Sequence, residues 1–279
     1  MEGQLIAILR RWAPRQGRVG AFVYGGMIML ISGAVVLSLV VLLQQLLNQL
    51  PWMLRVVLEA AIFKTCFSLR GLASAARQVQ QALIQQDLPQ ARHLLSWHLV
   101  SRDTTVLNAS EISAATIESV AENASDSLVA PLLYYAIGGL PGALLYRLIN
   151  TADAMLGYRD PEREWLGKIP ARLDDLVNLI PARLTAGCIL VVAFPYRYGA
   201  KETWRIWRRD AKQTASSNAG HPMSAMAGAL GVELVKIEHY RLGDGLKPPV
   251  QADIARSIVV LYGITIVSLM LCSSLIVIQ

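Results

Sequence analysis

Two long uncharged apolar runs constrain the fold of this chain more than any other feature of its sequence. Residues 20–43 and 257–278 contain no Asp, Glu, Lys or Arg. About 20 predominantly apolar residues in a helix span the hydrocarbon core of a bilayer. The composition agrees, because 54% of the chain is hydrophobic and 16% is charged, against about 45–50% and about 25% in soluble domains. Both runs are therefore predicted to be transmembrane helices.

Three further apolar segments are shorter or interrupted: residues 52–69, 128–149 and 184–196. The first contains charged residues, so it is interpreted either as a return crossing or as an interfacial helix. The second is broken by Pro131, Gly138 and Pro141, which is typical of a discontinuous or re-entrant helix that lines a cavity. The third is too short to span the bilayer comfortably.

The distribution of basic residues predicts which parts of the chain share one side of the membrane. Net charge is +6, and short cytoplasmic segments carry an excess of Lys and Arg. The polar regions predicted to be cytoplasmic are residues 70–127, 150–183 and 200–256. With no strand alternation visible, the chain is predicted to be a single all-α domain over residues 1–279, multi-pass in the cell (inner) membrane, with re-entrant or broken helices and cytoplasmic helical loops. No zinc spacing or strand–aromatic pattern is present, so nucleic acid is not an expected partner.

An acidic helix is predicted from residue 108 onward. Asn108 and Glu111 have the spacing of a capping box. At 100° per residue, Glu111, Glu118, Glu122 and Asp126 fall within a sector of roughly 80°. No Lys or Arg stands at i+4, and like charges at that spacing cost about 0.2–0.5 kcal/mol per pair. The stripe is therefore either a solvated face or a face that binds Mg²⁺ or substrate.

A second polar cluster follows the broken apolar segment directly. Asn150, Asp153 and Gly157 share one helix face at i, i+3 and i+7, and the glycine is interpreted as leaving room for a ligand or another helix. Ionisable residues at the membrane edge are functional candidates, although an Asn–Asp pair is equally compatible with a structural role.

A third cluster contains adjacent carboxylates. Asp174 and Asp175 stand side by side with Asn178 one turn later, and Arg172 and Arg183 lie on either side. Adjacent carboxylates suit a hard cation such as Mg²⁺, which prefers oxygen ligands. The alternative is a surface carboxylate pair that forms salt bridges with the neighbouring arginines.

Two weaker signals concern anion binding. Arg102, followed by Asp103, is suited to recognising phosphate or carboxylate groups, although an Arg–Asp dipeptide is more often a salt bridge. Asn218 precedes a predicted helix whose backbone N–H groups could face an anion. His221, just before a proline, is interpreted as a turn or packing residue in preference to a catalytic base.

Six motifs occur in order along the chain and together resemble one family. They read SW-x4-RDT at 96–104, ESVAEN-x-SD-x2-VAPL at 118–132, NT-x-D-x-M-x-GY at 150–158, ARLDDL-x-N at 171–178, PARLT at 181–185 and AMAGALGV at 225–232. The set resembles the CobD/CbiB membrane proteins, the adenosylcobinamide-phosphate synthases of cobalamin biosynthesis, and it covers essentially the whole chain.

The resemblance implies an ATP- and Mg²⁺-dependent ligase that joins adenosylcobyric acid to aminopropanol phosphate or ethanolamine phosphate. It also implies that the protein lies in the lipid bilayer. Oligomers, or contacts with other late cobalamin-pathway enzymes, are compatible with the resemblance. The catalytic candidates are Glu118, Glu122, Asp126, Asp153 and Asp174. The metal candidates are Glu122, Asp126, Asp174 and Asp175. The nucleotide- and phosphate-binding candidates are Arg102, Asp103, Asn150, Arg172, Arg183 and Asn218.

The sequence departs from the family pattern in two places. In the family, an apolar segment and a Gly-Asp-Pro…His-Pro stretch precede the part that matches Gly3-Gln4-Leu5-Ile6. In the 214–224 loop the family has a His, a Ser-Pro-Asn and a Trp-Pro-Glu. This chain has Thr214, Ser217, His221 and Met223 there. The departures favour an alternative function, that of a non-catalytic membrane relative with a sensory or scaffolding role, like the AmpE-type proteins. The retained acidic motifs favour the ligase.

Overall fold

The computed structural model describes residues 2–14, 17–157, 164–195 and 199–278. The helices are α1 (Glu2–Arg10), α2 (Arg18–Leu47), α3 (Trp52–Phe63), α4 (Leu69–Ile84), α5 (Leu88–His98), α6 (Ala109–Ala124), α7 (Ala130–Leu156), α8 (Lys168–Val177), α9 (Leu179–Val192), α10 (Gly199–Asp210), α11 (Gly220–Leu230) and α12 (Gln251–Ile278). A 3-10 turn, Lys64–Cys66, follows α3, and a π-helical turn, Ser125–Val129, joins α6 to α7. The predicted all-α class is confirmed.

Within the described residues, three helices are long and apolar enough to cross a membrane: Arg18–Leu47, the continuous stretch Ala109–Leu156, and Gln251–Ile276. The bent pair α8 and α9 passes the same test when taken together and would be a fourth. The crossings predicted at residues 20–43 and 257–278 are therefore confirmed as helices of spanning length.

The length of α3 argues against the return crossing that was considered for residues 52–69. Its 12 residues extend about 18 Å at 1.5 Å per residue, whereas the hydrocarbon core is about 30 Å thick. Arg55 pairs with Glu59 on its surface at 3.1 Å. α3 alone is thus too short to cross, and the interfacial interpretation agrees better with its length and its exposed charges.

The break predicted in the apolar segment 128–149 is present inside α7. Gly138 has φ −130° and ψ 17°, and Gly139 has φ 59° and ψ −152°, so neither residue is helical. Gly139 adopts a backbone conformation that L side chains rarely occupy. Pro141 then lies inside the helix and lacks a donor for the preceding turn. A Cβ on Gly142 would clash with the carbonyl oxygen of Tyr134, which explains the glycine there.

One element was missed by the sequence reasoning, which predicted no strands. β1 (Leu234–Lys236) and β2 (Tyr240–Leu242) form an antiparallel hairpin, with Leu234 paired to Leu242 and Lys236 paired to Tyr240. Three-residue strands are too short to show a clear period-2 pattern. Residues 243–249 follow the hairpin, and Lys247 among them bridges to Val232.

The chain divides into two compact units. The first contains the residues before 68 together with residues 130–178, and the second contains residues 68–129 and 179–278. In the first unit, α1, α2, α7 and α8 pack around a core that includes Ile28, Leu140, Leu148 and Leu156. In the second, α4 to α6, α9 to α12 and the hairpin pack together.

Glycines in α2 allow close helix packing in the first unit. A Cβ on Gly25 would clash with the carbonyl oxygen of Leu166, whereas a Cβ on Gly33 meets nothing within 4 Å. Gly25→Ala should therefore lower the thermal midpoint of the purified protein, because overpacking typically costs about 1–3 kcal/mol. Gly33→Ala in the same helix should keep or raise the midpoint, since Ala is the better helix former. Equal midpoints for the two variants would contradict the close approach.

Candidate functional site

The amino-terminal end of α6 is fixed by the predicted capping box. Asn108 Oδ1 accepts hydrogen bonds from the N–H groups of Ser110 and Glu111, at 2.9 and 3.0 Å, and the Asn108 N–H donates to Glu111 Oε2 at 2.7 Å. Glu111 is thus a cap. Every residue from 112 to 121 is buried, Glu118 among them, whereas Glu122 is exposed and Asp126 is partly exposed. The acidic stripe is therefore not solvated along its whole length.

Glu118 is a buried carboxylate in the middle of α6, with only 5% of its surface exposed. Its Oε2 lies 3.6 Å from Arg102 Nη2. Its Oε1 receives no hydrogen bond from any residue that the structure describes. Burying a charge is costly unless the charge is paired and hydrogen-bonded. One oxygen of Glu118 is therefore left without the donor that burial demands.

The Glu118 carboxylate borders a cavity of about 190 Å³ in the second unit. Arg102 and Glu122 line it, and the β-hairpin contributes Lys236 and Tyr240. These two hairpin residues are directly opposite each other across the strands, and paired residues point to the same face. The sequence reasoning missed both. The available signal was a short apolar–polar alternation at 234–242 before the Gly-Asp-Gly turn.

Tyr240 supplies a hydroxyl beside the Glu118 carboxylate. Burial, followed by the nearby negative charges of Glu118 and Glu122, raises the pKa of the Tyr240 hydroxyl above its usual range. The hydroxyl also contacts the Met223 sulfur at 3.9 Å. It therefore stays protonated at neutral pH, next to the Met223 sulfur and the Glu118 carboxylate.

The π-helical turn alters the acidic stripe that was predicted from regular α-helical spacing. α6 ends at Ala124, and Ser125–Val129 is π-helical, so the constant 100° step does not apply to Asp126. Glu122 lines the cavity with Glu118, whereas Asp126 lies inside the π turn. Such turns occur frequently at functional sites.

A second polar cluster lies in the first unit, where α7 packs on α8. Asp174 accepts hydrogen bonds from Asn150 Nδ2 at 3.3 Å and from Asn178 Nδ2 at 3.0 Å. The hydroxyl of Tyr146 donates to Asn178 Oδ1 at 3.0 Å. The structure thus brings together the second and third predicted clusters, and it adds Tyr146, which the sequence reasoning did not single out.

Asp153 joins this cluster electrostatically, because Asp174 and Asp175 lie close enough for their charges to interact with it. A Cβ on Gly157 would clash with the carboxylate and the carbonyl oxygen of Asp153. The glycine therefore makes room for Asp153, and the room predicted for a ligand or another helix stays a prediction.

The metal candidates are divided between the two units. Glu122 and Asp126 belong to the second unit, and Asp174 and Asp175 belong to the first. In the part of the chain that the structure describes, no group of three or more His, Cys, Asp or Glu side chains is arranged to hold a metal ion. Mg²⁺ commonly takes only one or two protein carboxylates and completes its shell with water and phosphate oxygens. The neighbouring acids Asp174 and Asp175 have suitable donor chemistry, and the assignment of all four acids as metal ligands stays a prediction.

The remaining phosphate-binding candidates have separate environments. Arg183 Nη1 donates to Asn218 Oδ1 at 3.3 Å, so these two predicted residues meet near the start of α11. Arg172 is exposed on α8. Asp103 is also exposed, and its Oδ1 accepts from the Thr105 N–H at 2.9 Å. These hydrogen bonds from Thr105 lower the pKa of Asp103, which indicates a turn-stabilising role.

His221 packs against Trp207, whose Nε1 donates to His221 Nδ1 at 3.0 Å. Burial, together with the positive charges of Arg183 and Lys212, lowers the pKa of His221 to about 4. This geometry agrees with the interpretation of His221 as a packing histidine.

The low pKa of His221 predicts acid-sensitive stability. An unfolded histidine has a pKa of about 6.5, so between that value and about 4 the unfolded state binds more protons. Stability from this group is therefore present above pH 6.5 and is lost as pH falls towards 4. His221→Gln should flatten the fall in thermal midpoint between pH 7 and pH 5. His239→Gln, at an exposed position, should leave that slope unchanged, and equal slopes in the two variants would contradict the assignment.

The spanning-length apolar helices, together with buried polar side chains beside a cavity, define an α-helical integral membrane protein with a polar binding site. A family model described as CobD/Cbib protein matches residues 1–261. The chain therefore belongs to the CobD/CbiB family.

Several curated relatives are similar over most of the chain. One named Cobalamin biosynthesis protein CobD, from Dehalococcoides mccartyi (strain CBDB1), is 42% identical over 93% of this chain and 83% of its own length. A Probable cobalamin biosynthesis protein CobD from Methanothermobacter thermautotrophicus is 43% identical over 71% of this chain and 66% of its own. A Cobalamin biosynthesis protein CobD from Geobacter metallireducens is 43% identical over 69% of this chain and 63% of its own length. For these last two, the match spans less than two thirds of the relative. No solved structure matches the chain.

Proposed function

We propose that this chain acts in cobalamin biosynthesis as an adenosylcobinamide-phosphate synthase. It would join adenosylcobyric acid to aminopropanol phosphate or ethanolamine phosphate at the cytoplasmic face of the cell (inner) membrane, using ATP and Mg²⁺. Family membership and the names of the relatives support the pathway. The acidic and arginine-containing motifs support the reaction.

The reaction requires activation of a carboxylate. ATP transfers its terminal phosphoryl group to the carboxylate, giving an acyl phosphate and ADP. The amine then attacks the carbonyl carbon, a C–N bond forms, inorganic phosphate leaves, and the ammonium proton passes to a base. A carboxylate of the site is suited to accept that proton. Arginines are suited to bind the phosphoryl oxygens. Bound Mg²⁺ would neutralise charge on the nucleotide phosphates, with Asp174 and Asp175 as its candidate ligands in the first unit.

The observation that carries this proposal is the state of Glu118. A buried carboxylate with one unpartnered oxygen beside a cavity lowers stability in a protein that only spans or scaffolds a membrane, because each such group carries a desolvation penalty. A substrate that supplies the missing donor removes the penalty. A buried polar group without a partner therefore indicates a role in binding or chemistry.

The alternative is a non-catalytic sensory or scaffolding relative. The observation that favours it lies in the divergent 214–224 loop, where His221 is engaged by Trp207 at 3.0 Å in a packing role. In this alternative the acidic clusters would serve stability or partner binding.

A complementation experiment separates the two functions. The chain is expressed in a bacterium that lacks its own synthase and is supplied with cobyric acid, and membrane insertion is checked by fractionation. Growth is the expected result, and Glu122→Ala and Asp174→Ala should each abolish it. Absence of growth despite insertion would refute the ligase, and full growth of both variants would refute the site.

Purified protein provides the biochemical counterpart. In detergent or nanodiscs, corrinoid amide formation should require the amino-alcohol phosphate, ATP and Mg²⁺ together. The product is measured by chromatographic separation of the corrinoids. Product formed without ATP would contradict the proposed activation of the carboxylate.

A further inference from the structure

The cavity beside Glu118 has charges of both signs on its wall. Arg102 and Lys236 provide two cationic groups, and Glu118 and Glu122 provide two carboxylates. A ligand of a single charge would be attracted by one pair and repelled by the other. A small molecule with both an ammonium and a phosphate group matches both pairs.

The size of the cavity restricts the ligand further. Its volume is about 190 Å³, which lies below the range of about 300–1,000 Å³ that is typical of pockets for drug-sized ligands. A nucleotide or a corrinoid exceeds that volume, so neither is enclosed there. A ligand with a two- or three-carbon backbone between its amine and its phosphate is of suitable size.

The unpartnered Oε1 of Glu118 determines where the ammonium lies. This oxygen is buried and receives no hydrogen bond from any residue within the described ranges. An ammonium is a strong, positively charged donor, so it supplies the hydrogen bond that Oε1 lacks. The other oxygen, Oε2, already faces Arg102 at 3.6 Å.

The hairpin determines where the phosphate lies. Lys236 is held opposite Tyr240 across the strands, with its ammonium nitrogen 5.9 Å from the Tyr240 ring. Arg102 approaches the same cavity from the segment between α5 and α6. A guanidinium with a neighbouring lysine is a common arrangement for phosphate recognition.

We infer that this cavity is the subsite for the amino-alcohol phosphate, with Glu118 binding its ammonium and Arg102 and Lys236 binding its phosphate. The inference rests on the proposed function for the choice of substrate, and it assigns that substrate to one cavity and to two residues of the hairpin. Tyr240 lines the same cavity beside Glu118.

The test is a binding measurement on the full-length protein in nanodiscs, without ATP or corrinoid. Isothermal titration compares ethanolamine phosphate with ethyl phosphate, which lacks the amine, and with ethanolamine, which lacks the phosphate. Ethanolamine phosphate should bind at least about tenfold more tightly than either, the effect of one hydrogen bond to a charged group.

Variants separate the two ends of the ligand. Glu118→Gln should remove the advantage of ethanolamine phosphate over ethyl phosphate and leave ethyl phosphate binding near its original value. Lys236→Ala should weaken both phosphates by about tenfold, and Lys236→Arg should restore most of the loss. Lys201→Ala, at an exposed position on α10, is the matched control and should change neither.

The outcomes distinguish the subsite from the ligase. Equal affinities for the three ligands, or Glu118→Gln weakening both phosphates equally, would overturn the subsite even if complementation succeeds. The expected pattern of affinities without complementation would support the subsite and refute the ligase. If Lys236→Ala fails to fold, as judged by circular dichroism, the comparison of Lys236→Arg with Lys236→Gln gives the same test.

Discussion

Replacing Glu118 by Gln should lower the rate of amide formation by at least about 100-fold, within the range of about 10²–10⁴ typical of a positioned acid–base or charged group. Gln has nearly the same shape but can neither accept a proton from the amine nor neutralise an ammonium. Arg102, the charged partner of Glu118, is 29% exposed and remains hydrated, and the unpartnered Oε1 carries a desolvation cost, so the thermal midpoint should be unchanged or slightly higher. Activity and stability therefore move independently. The measurement is steady-state kcat/KM for the amino-alcohol phosphate, together with a thermal melt.

The matched control is Glu111→Gln, on the same helix. Glu111 completes the capping box, and Gln also serves at that position, so this variant should keep wild-type activity within a factor of about two. Wild-type kcat/KM in Glu118→Gln would remove Glu118 from the site. Loss of activity together with a large drop in midpoint would show that Glu118 acts through stability.

Local features of the sequence were sufficient to predict much of the fold. The two uncharged runs predicted α2 and α12 because lipid tolerates few charges over a spanning length. The capping box at Asn108 and the glycines within α7 depend on backbone requirements that act over a few residues. Such features are visible without knowledge of tertiary neighbours.

The candidate site depended on contacts that local pattern does not encode. Glu118 is buried because other helices surround α6, so helical spacing alone predicted a solvated face equally well. Lys236 and Tyr240 reach the cavity through a hairpin of two short strands. Asn150 and Asp174 were identified as separate clusters, and only the packing of α7 on α8 brings them within 3.3 Å.

The π turn explains why the acidic stripe departs from regular α-helical spacing. The acidic stripe assumed the same angular step for every residue between Glu111 and Asp126, but the backbone changes from α to π at Ser125. A π turn accommodates an extra residue per turn, and no residue type marks it reliably. Glu122 and Glu118 line one cavity, whereas the position predicted for Asp126 on the same face stays a prediction.

Asp210→Ala should destabilise the second unit by about 1–3 kcal/mol, the cost of leaving a buried donor without its acceptor. Asp210 is fully buried. Its carboxylate accepts from Arg209 Nε and Nη2 at 2.6 and 2.8 Å and from Gln213 Nε2 at 2.9 Å. It also accepts from the Gly243 N–H at 2.7 Å, which ties the end of α10 to the turn after β2. Ala would leave these donors without their acceptor.

The hairpin makes this prediction informative about the site as well as about stability. Because the hydrogen bond from Gly243 fixes the residue after β2, loosening it should displace Tyr240 and Lys236. Affinity for ethanolamine phosphate should then fall at temperatures where the protein is still folded.

Asp244→Ala is the control. The Asp244 side chain is 67% exposed, and its contact with Arg241, at 3.8 Å, is long for an ion pair. An exposed pair of this kind contributes about 0–1 kcal/mol, so its midpoint and its ligand affinity should both match the wild type. Asp210→Asn retains an acceptor and should fall between Asp210→Ala and the wild type. An Asp210→Ala midpoint equal to that of Asp244→Ala would show that the carboxylate does not hold the hairpin in place.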